Sequence, residues 1–128
     1  MISFNEFSMQ DGSPIYQQIL LYIKRGVIAG TIKDGDELPS RRVLSALLGV
    51  NPNTVQKALS ELEWEKLLYT MRTAGRYVTE DAALIAALRE QLAGERIIKF
   101  LDELKQLGFQ HEDILQLLAK HMEGEDKQ

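Results

Sequence analysis

Between Leu38 and Leu62 the chain reads LPSRRVLSALLGVNPNTVQKALSEL, and this stretch leaves little freedom of local structure. Pro39 ends whatever precedes it, and Ser40 can accept a hydrogen bond from the unpaired N–H groups of a first helical turn. A helix is therefore expected over Arg41–Leu48. Gly49 follows where a helix has to stop in the left-handed region, which costs glycine least. Asn51 then offers a second N-cap. Pro52 stands at the first helical position, where its missing N–H is harmless and its fixed φ already suits a helix. Beyond it Val55, Ala58, Leu59 and Leu62 recur at helical spacing as one apolar stripe. The faces left over carry Asn53, Thr54, Gln56 and Lys57, short polar side chains and one cation.

Two short helices joined by a glycine turn suit a helix-turn-helix. A helix that enters the major groove needs a slim N-terminal half, donors and acceptors that reach base edges, and positive partial charge aimed at phosphates. Two amphipathic helices of an ordinary bundle would carry a similar pattern, and these residues alone leave both readings open.

The net charge of −4 looks unfavourable for a polyanion until it is divided along the chain. Residues 1–80 are neutral and residues 81–128 carry the whole excess of −4, whereas Arg41 to Arg76 has six cations against three acids. Those acids, Glu61, Glu63 and Glu65, stand late in the second helix. A local cationic excess of this kind steers DNA to one face of an acidic protein.

At 128 residues the chain is one domain, or one small domain with an appendage. There is no cysteine, hence no disulfide framework and no thiolate nucleophile or metal site. The start MISFNEF lacks a basic run and a long apolar core, and no segment is apolar for long enough to span a bilayer, so a cytoplasmic protein is expected. His111 and His121 lie too far apart on a helix to share a metal, and the three acids around Gly35 make a poor calcium loop. No metal and no cofactor is expected.

Residues 1–13 are expected as an extended lead-in with Ile2 and Phe4 alternating. Ser13 and Pro14 then open a helix that buries Ile15, Ile19, Leu20, Ile23 and Val27 and ends near Ala29 before Gly30. Tyr16 on its first turn is a packing residue in preference to an effector contact. Lys33–Asp36 is a turn. Leu67–Met71 and Tyr77–Thr79 have strand propensity and form a hairpin, with Arg72 to Arg76 between them. From Asp81 the pattern is helical again. Leu84, Leu88, Leu92, Ile97, Leu101 and Leu104 mark a long amphipathic helix stopped by Gly108, a shorter one covers His111–Met122, and residues 123–128 should fray. Two such helices cannot enclose a ligand cavity alone, and their apolar stripes exceed what one small domain can cover. They suit a dimerisation arm, the alternative being that they fold back on their own domain.

PIYQQI at Pro14–Ile19, GTIKDGDELPS at Gly30–Ser40, then Arg42, Leu44, Gly49–Val50, Asn53–Thr54–Val55 and Ala58–Leu59 closely resemble the N-terminal winged helix-turn-helix of the GntR family of bacterial transcription regulators. The match runs without gaps over about the first two-thirds of the chain. The NPNTVQKAL form with a short helical tail is similar to the YtrA-type branch. The resemblance implies a mainly α fold with a small β-hairpin wing: a winged helix-turn-helix DNA-binding domain over 1–80 and a two-helix C-terminal dimerisation arm over 81–128. It implies a homodimeric repressor or activator bound to a double-stranded operator, answering to a small-molecule effector. The YtrA type is often associated with transporter genes. Arg42, by family position, would contact a base or adjacent phosphate.

Three departures alter what the resemblance carries over. Pro52 and Gln56 stand where many members have arginine, which removes two arginine–guanine contacts. The wing reads Thr73–Ala74–Gly75–Arg76 where Gly-x-Gly-Thr is usual, and Arg41 replaces a frequent acid. The expected DNA-contacting set is Ser40, Arg41, Arg42, Asn51, Asn53, Thr54, Gln56 and Lys57 on the two helices, with Arg72, Thr73, Gly75 and Arg76 at the wing tip. Asn53 and Gln56 can pair with adenine, while Arg41, Lys57, Arg72 and Arg76 suit phosphates or the minor groove. Leu84, Leu88, Leu92, Ile97, Leu101 and Leu104 are the expected dimer seam, and an effector would bind near Glu80–Leu84. An enzyme would need a nucleophile, an acid–base pair or a phosphate cradle, which the chain lacks. A winged-helix module that binds protein instead of DNA would have no use for the cationic excess.

Overall fold

A computed structural model of the chain describes Phe4 and residues 7–10, 12–71 and 75–126. Its helices and strands run in the order α1 (Ile15–Ala29), α2 (Arg41–Leu48), α3 (Pro52–Trp64), β1 (Leu68–Met71), β2 (Gly75–Val78), α4 (Ala82–Gln106) and α5 (His111–Asp126). This is a mainly α architecture with one two-stranded antiparallel hairpin. Residues 1–89 and 90–128 form two compact units.

The first unit is built on α1 and α3, which pack together most extensively. Ile19, Ile23 and Val27 of α1 meet Val55, Ala58, Leu59 and Leu62 of α3. Leu44 of α2, Ile32, Leu38, Leu67, Leu68 and Val78 close the same core. Each fully buried Leu or Ile contributes about 1.5–3 kcal/mol through water removed from its surface. Ile85 and Leu88, on the first turns of α4, pack against this core from outside. Arg89 donates both Nε and Nη2 to the Ile28 carbonyl, at 3.1 and 2.7 Å. That carbonyl belongs to the last turn of α1, where helix carbonyls have no partner of their own.

Several boundaries follow local chemistry. Gly30 ends α1 with φ 86° and returns its N–H to Gly26 and Val27. Ser40 Oγ accepts from Val43 N–H at the start of α2, and Gly49 closes that helix at φ 67°. The start of α1 differs from expectation: Pro14, not Ser13, is the N-cap, and no side chain caps it. The Gln18 side chain instead holds the lead-in, donating to the carbonyls of Gln10 and Ser13 and accepting from Gln10 N–H. The lead-in is not simply extended either. Phe7 N–H donates to the Phe4 carbonyl, and both rings lie against Tyr22 with centroids 5.3 and 5.5 Å away. Ile2 lies outside the described residues.

The hairpin begins earlier on its second strand than propensity suggests, because Gly75 and Arg76 belong to β2 and pair with Met71 and Thr70. A third segment supports it. Leu38 N–H donates to the Arg76 carbonyl, Gly35 N–H to the Val78 carbonyl and Val78 N–H to the Asp36 carbonyl, with a bridge between Glu37 and Tyr77. In the second unit, α5 continues through residues 123–126, where fraying was expected. Gln110 N–H is capped by Asp113 Oδ2 at 2.9 Å.

Candidate nucleic-acid interface

The turn from α2 to α3 sets up the face. Asn51 Oδ1 accepts from Asn53 N–H at 2.8 Å, and Pro52 opens α3. Val55, Ala58, Leu59 and Leu62 are buried, so the opposite side of α3, with Asn53, Lys57 and Ser60 exposed and Gln56 half-buried, faces outward. Thr54 is half-buried beside it. No acid occupies the first turn of α3, so the positive end of its dipole is left for an anion. Ser40, Arg41 and Arg42 are exposed at the start of α2, another helix without an acid in its first turn. Ser40 and Asn51, both expected to touch DNA, spend a side-chain oxygen on capping. Their first effect is to fix where each helix begins.

Lys57 lies over the Tyr16 ring, its Nζ 3.9 Å from the centroid. Tyr16 is half-buried against the core, as befits a packing residue, and the lysine is drawn toward the start of α1.

Arg76 departs from expectation. It does not project from the wing tip. Its Nε pairs with Glu63 Oε1, and its Nη2 donates to Gln56 Oε1 at 3.2 Å. Gln56 Nε2 in turn donates to Ser60 Oγ at 2.8 Å. The reason lies in register. Pairing with Thr70 places Arg76 inside β2, beside α3, where Glu63 is seven residues beyond Gln56 on the same helical face. Glu63 is the participant that inspection of the sequence missed, and its spacing from Gln56 is the signal that could have found it. A second acid of α3, Glu65, is paired with Lys24 of α1 at 3.1 Å. Glu65 is thus neutralised by a cation from outside Arg41–Arg76, whereas Glu63 takes up one of the six cations of that stretch. Gly75 has φ 100°, a conformation that suits glycine, and an added Cβ there would come 3.3 Å from Glu37 Oε1. Arg72 and Thr73 lie outside the described residues.

Of the expected dimer seam, Leu88 packs against the core of its own winged unit, and Leu84, Leu92, Leu101 and Leu104 are half-buried. Ile97 is 55% exposed, with Ile98, Leu107, Leu115 and Met122 also open to solvent.

A helix-turn-helix with a hairpin behind it, an uncluttered second helix and a cationic start to the first define a winged helix-turn-helix DNA-binding protein. Residues 15–78 match the family described as bacterial regulatory proteins, gntR family. The chain is 38% identical over 98 residues to the HTH-type transcriptional repressor YtrA of Bacillus subtilis, covering 77% of this chain and 71% of that one. Its fold matches a GntR family transcriptional regulator from Listeria monocytogenes with a TM-score of 0.80 and 39% identity, over 88% of this chain and 98% of the other. It also matches the DNA-binding domain of AraR in complex with operator ORX1, with a TM-score of 0.50 and 26% identity, over 56% of this chain and 92% of that domain. The chain belongs to the GntR family, in its YtrA-like branch. It is a DNA-binding transcriptional regulator and not an enzyme.

Proposed function

We propose that this regulator is a repressor that binds an inverted-repeat operator as a homodimer, in the cytoplasm. Residues 1–80 serve as the reading domain and residues 81–128 as the dimerisation arm. One observation carries the reading: the outward face of α3, with Asn53, Gln56 and Lys57, opens from a helix N-terminus that has no acid in its first turn. Asn53 and Gln56 would face base edges. Arg41, Arg42, Thr54 and Lys57 would lie along phosphates or groove edges, and Arg72, Thr73 and Gly75 would form the wing contact. The repressor name of the YtrA relative and the operator complex of the AraR domain support this reading. A small-molecule effector and a link to transporter genes follow from the resemblance to the YtrA-type branch, and the site proposed for the effector is Glu80–Leu84. An effector of this kind must bind one geometry of the dimer better than the other, or it shifts nothing.

Selection of bound fragments from the source genome, followed by gel shift, tests the reading. An inverted repeat bound at least about a thousandfold more tightly than random duplex is expected. Equal binding to all fragments would sink it and leave a winged module that binds protein.

A further inference from the structure

Gln56 is one of two side chains on α3, with Asn53, that carry the right groups to read an adenine, and a free glutamine amide can present them either way round. Adenine offers N7 as acceptor and N6–H2 as donor, so the reader must place an oxygen and an N–H in the right order. A flip by half a turn about the last side-chain bond reverses that order at little cost in water. In this protein the amide is held from both ends. The wing residue Arg76 donates Nη2 to its Oε1 at 3.2 Å, and its Nε2 donates to Ser60 Oγ at 2.8 Å. Glu63 anchors the guanidinium that does the holding.

The hydrogen-bonding capacity closes. A glutamine oxygen accepts two bonds and its nitrogen donates two. Arg76 uses one acceptor site and Ser60 takes one N–H. One acceptor site and one N–H remain, the pair that an adenine edge requires. The clamp therefore selects the flip without exhausting the reader. It also removes Arg76 from the list of phosphate contacts, because Glu63 already neutralises its charge.

We propose that Arg76 is a positioning residue for base readout: from the wing it fixes the orientation of the Gln56 amide, so that the hairpin sets the specificity of α3 as well as gripping the backbone. This role rests on the reading of α3 as the recognition helix. It makes sense of a departure noted in the sequence, since this wing carries an arginine beside a recognition helix that has glutamine where many relatives have arginine.

The test uses the full-length chain and operators selected by the wild type from a random duplex library. Gln56→Ala should lose preference at one base pair by about 5- to 150-fold. Arg76→Met keeps the aliphatic stem and should lose preference at that same base pair, with no further loss in the Gln56→Ala, Arg76→Met double variant. Its salt dependence should match that of the wild type. Arg76→Lys should behave like Arg76→Met although it keeps the charge, because one ammonium lacks the fork that reaches Glu63 and Gln56 through separate nitrogens. In the free protein, the side-chain amide resonances of Gln56 should move in both variants. Full retention of the preference in Arg76→Met would overturn the role. So would a uniform loss of affinity with the salt slope flattened by about one unit, which would make Arg76 a phosphate contact. A wild-type chain that selects no sequence at all removes the reader itself, a different failure from that of the clamp.

Discussion

Lys57 shows how little energy holds a side chain proposed to contact DNA. Its ammonium rests over the Tyr16 ring at 3.9 Å, an exposed cation–π contact of about 0.5–1 kcal/mol. A phosphate within reach can displace that contact, so the ring parks the lysine without disabling it. Lys57→Ala is expected to weaken operator and random duplex by the same factor and to lower the slope of log affinity against log salt by about one unit, measured by fluorescence anisotropy. A loss confined to the operator would make Lys57 a base reader. Gly26 is constrained by packing, not by φ: it lies inside α1, where alanine would normally add stability. Here a Cβ would stand 2.5 Å from Cδ1 and 2.7 Å from Cγ1 of Ile32, which is buried in the core. Overpacking outweighs propensity, and Gly26→Ala should destabilise the winged unit by about 1–2 kcal/mol in urea titrations. An unchanged or raised midpoint would show that Ile32 gives way freely.

At the scale of elements, the joints are set by residues of three kinds: caps, left-handed stops and side chains that reach across. The α2–α3 unit was legible in the sequence because its boundaries are local chemistry. Ser40, Gly49, Asn51 and Pro52 each act within four residues of themselves. The wing was legible as a hairpin but not in register, because β2, besides pairing with β1, is held by Leu38, Asp36 and Gly35, some forty residues upstream. The inward turn of Arg76 depends on that register and was hidden with it. The end of α3 was hidden for another reason. Lys66 takes φ 66°, and Leu67 N–H returns to the Leu62 carbonyl, a C-terminal motif that glycine usually serves. A non-glycine residue there carries a steric cost of about 1–2 kcal/mol, part of which glycine loses again to unfolded-state freedom. Lys66→Gly should therefore raise stability by about 0.5 kcal/mol, and a lower denaturation midpoint would count against the argument. Arg89 is the long-range joint. Its two bonds to the Ile28 carbonyl bring a cation to the C-terminal end of α1, where the helix dipole favours it. Arg89→Ala should cost about 1 kcal/mol, discounted because the side chain is largely solvated.

The whole molecule poses the question of what covers its outer helices. Among the described residues of 90–128, Ile114 is the one buried hydrophobic side chain, while Ile98 is 71% exposed, Leu107 73% and Met122 63%. Helices with so little burial are marginal in water, since helical stability comes mainly from packing an apolar face. An apolar surface of this extent calls for a partner, and a second copy answers a second need. One winged domain spans only a few base pairs, whereas two related by a two-fold axis would read half-sites about one helical turn, ~34 Å, apart. Leu92, Ile97, Leu101 and Leu104 would then supply the seam, with Leu84 at its edge and Leu88 shared with the winged core. Leu101→Glu would place a carboxylate in that seam, and burying an unpaired charge is far more costly than leaving the helices apart. The expected result is a monomer in sedimentation velocity at micromolar concentration, with operator affinity reduced at least about a hundredfold because each half-site must be bound alone. The winged unit should keep its melting behaviour, since Leu101 lies outside residues 1–89. A wild-type chain that sediments as a monomer at that concentration, yet binds its operator tightly, would rule out the dimer as the form that reads DNA.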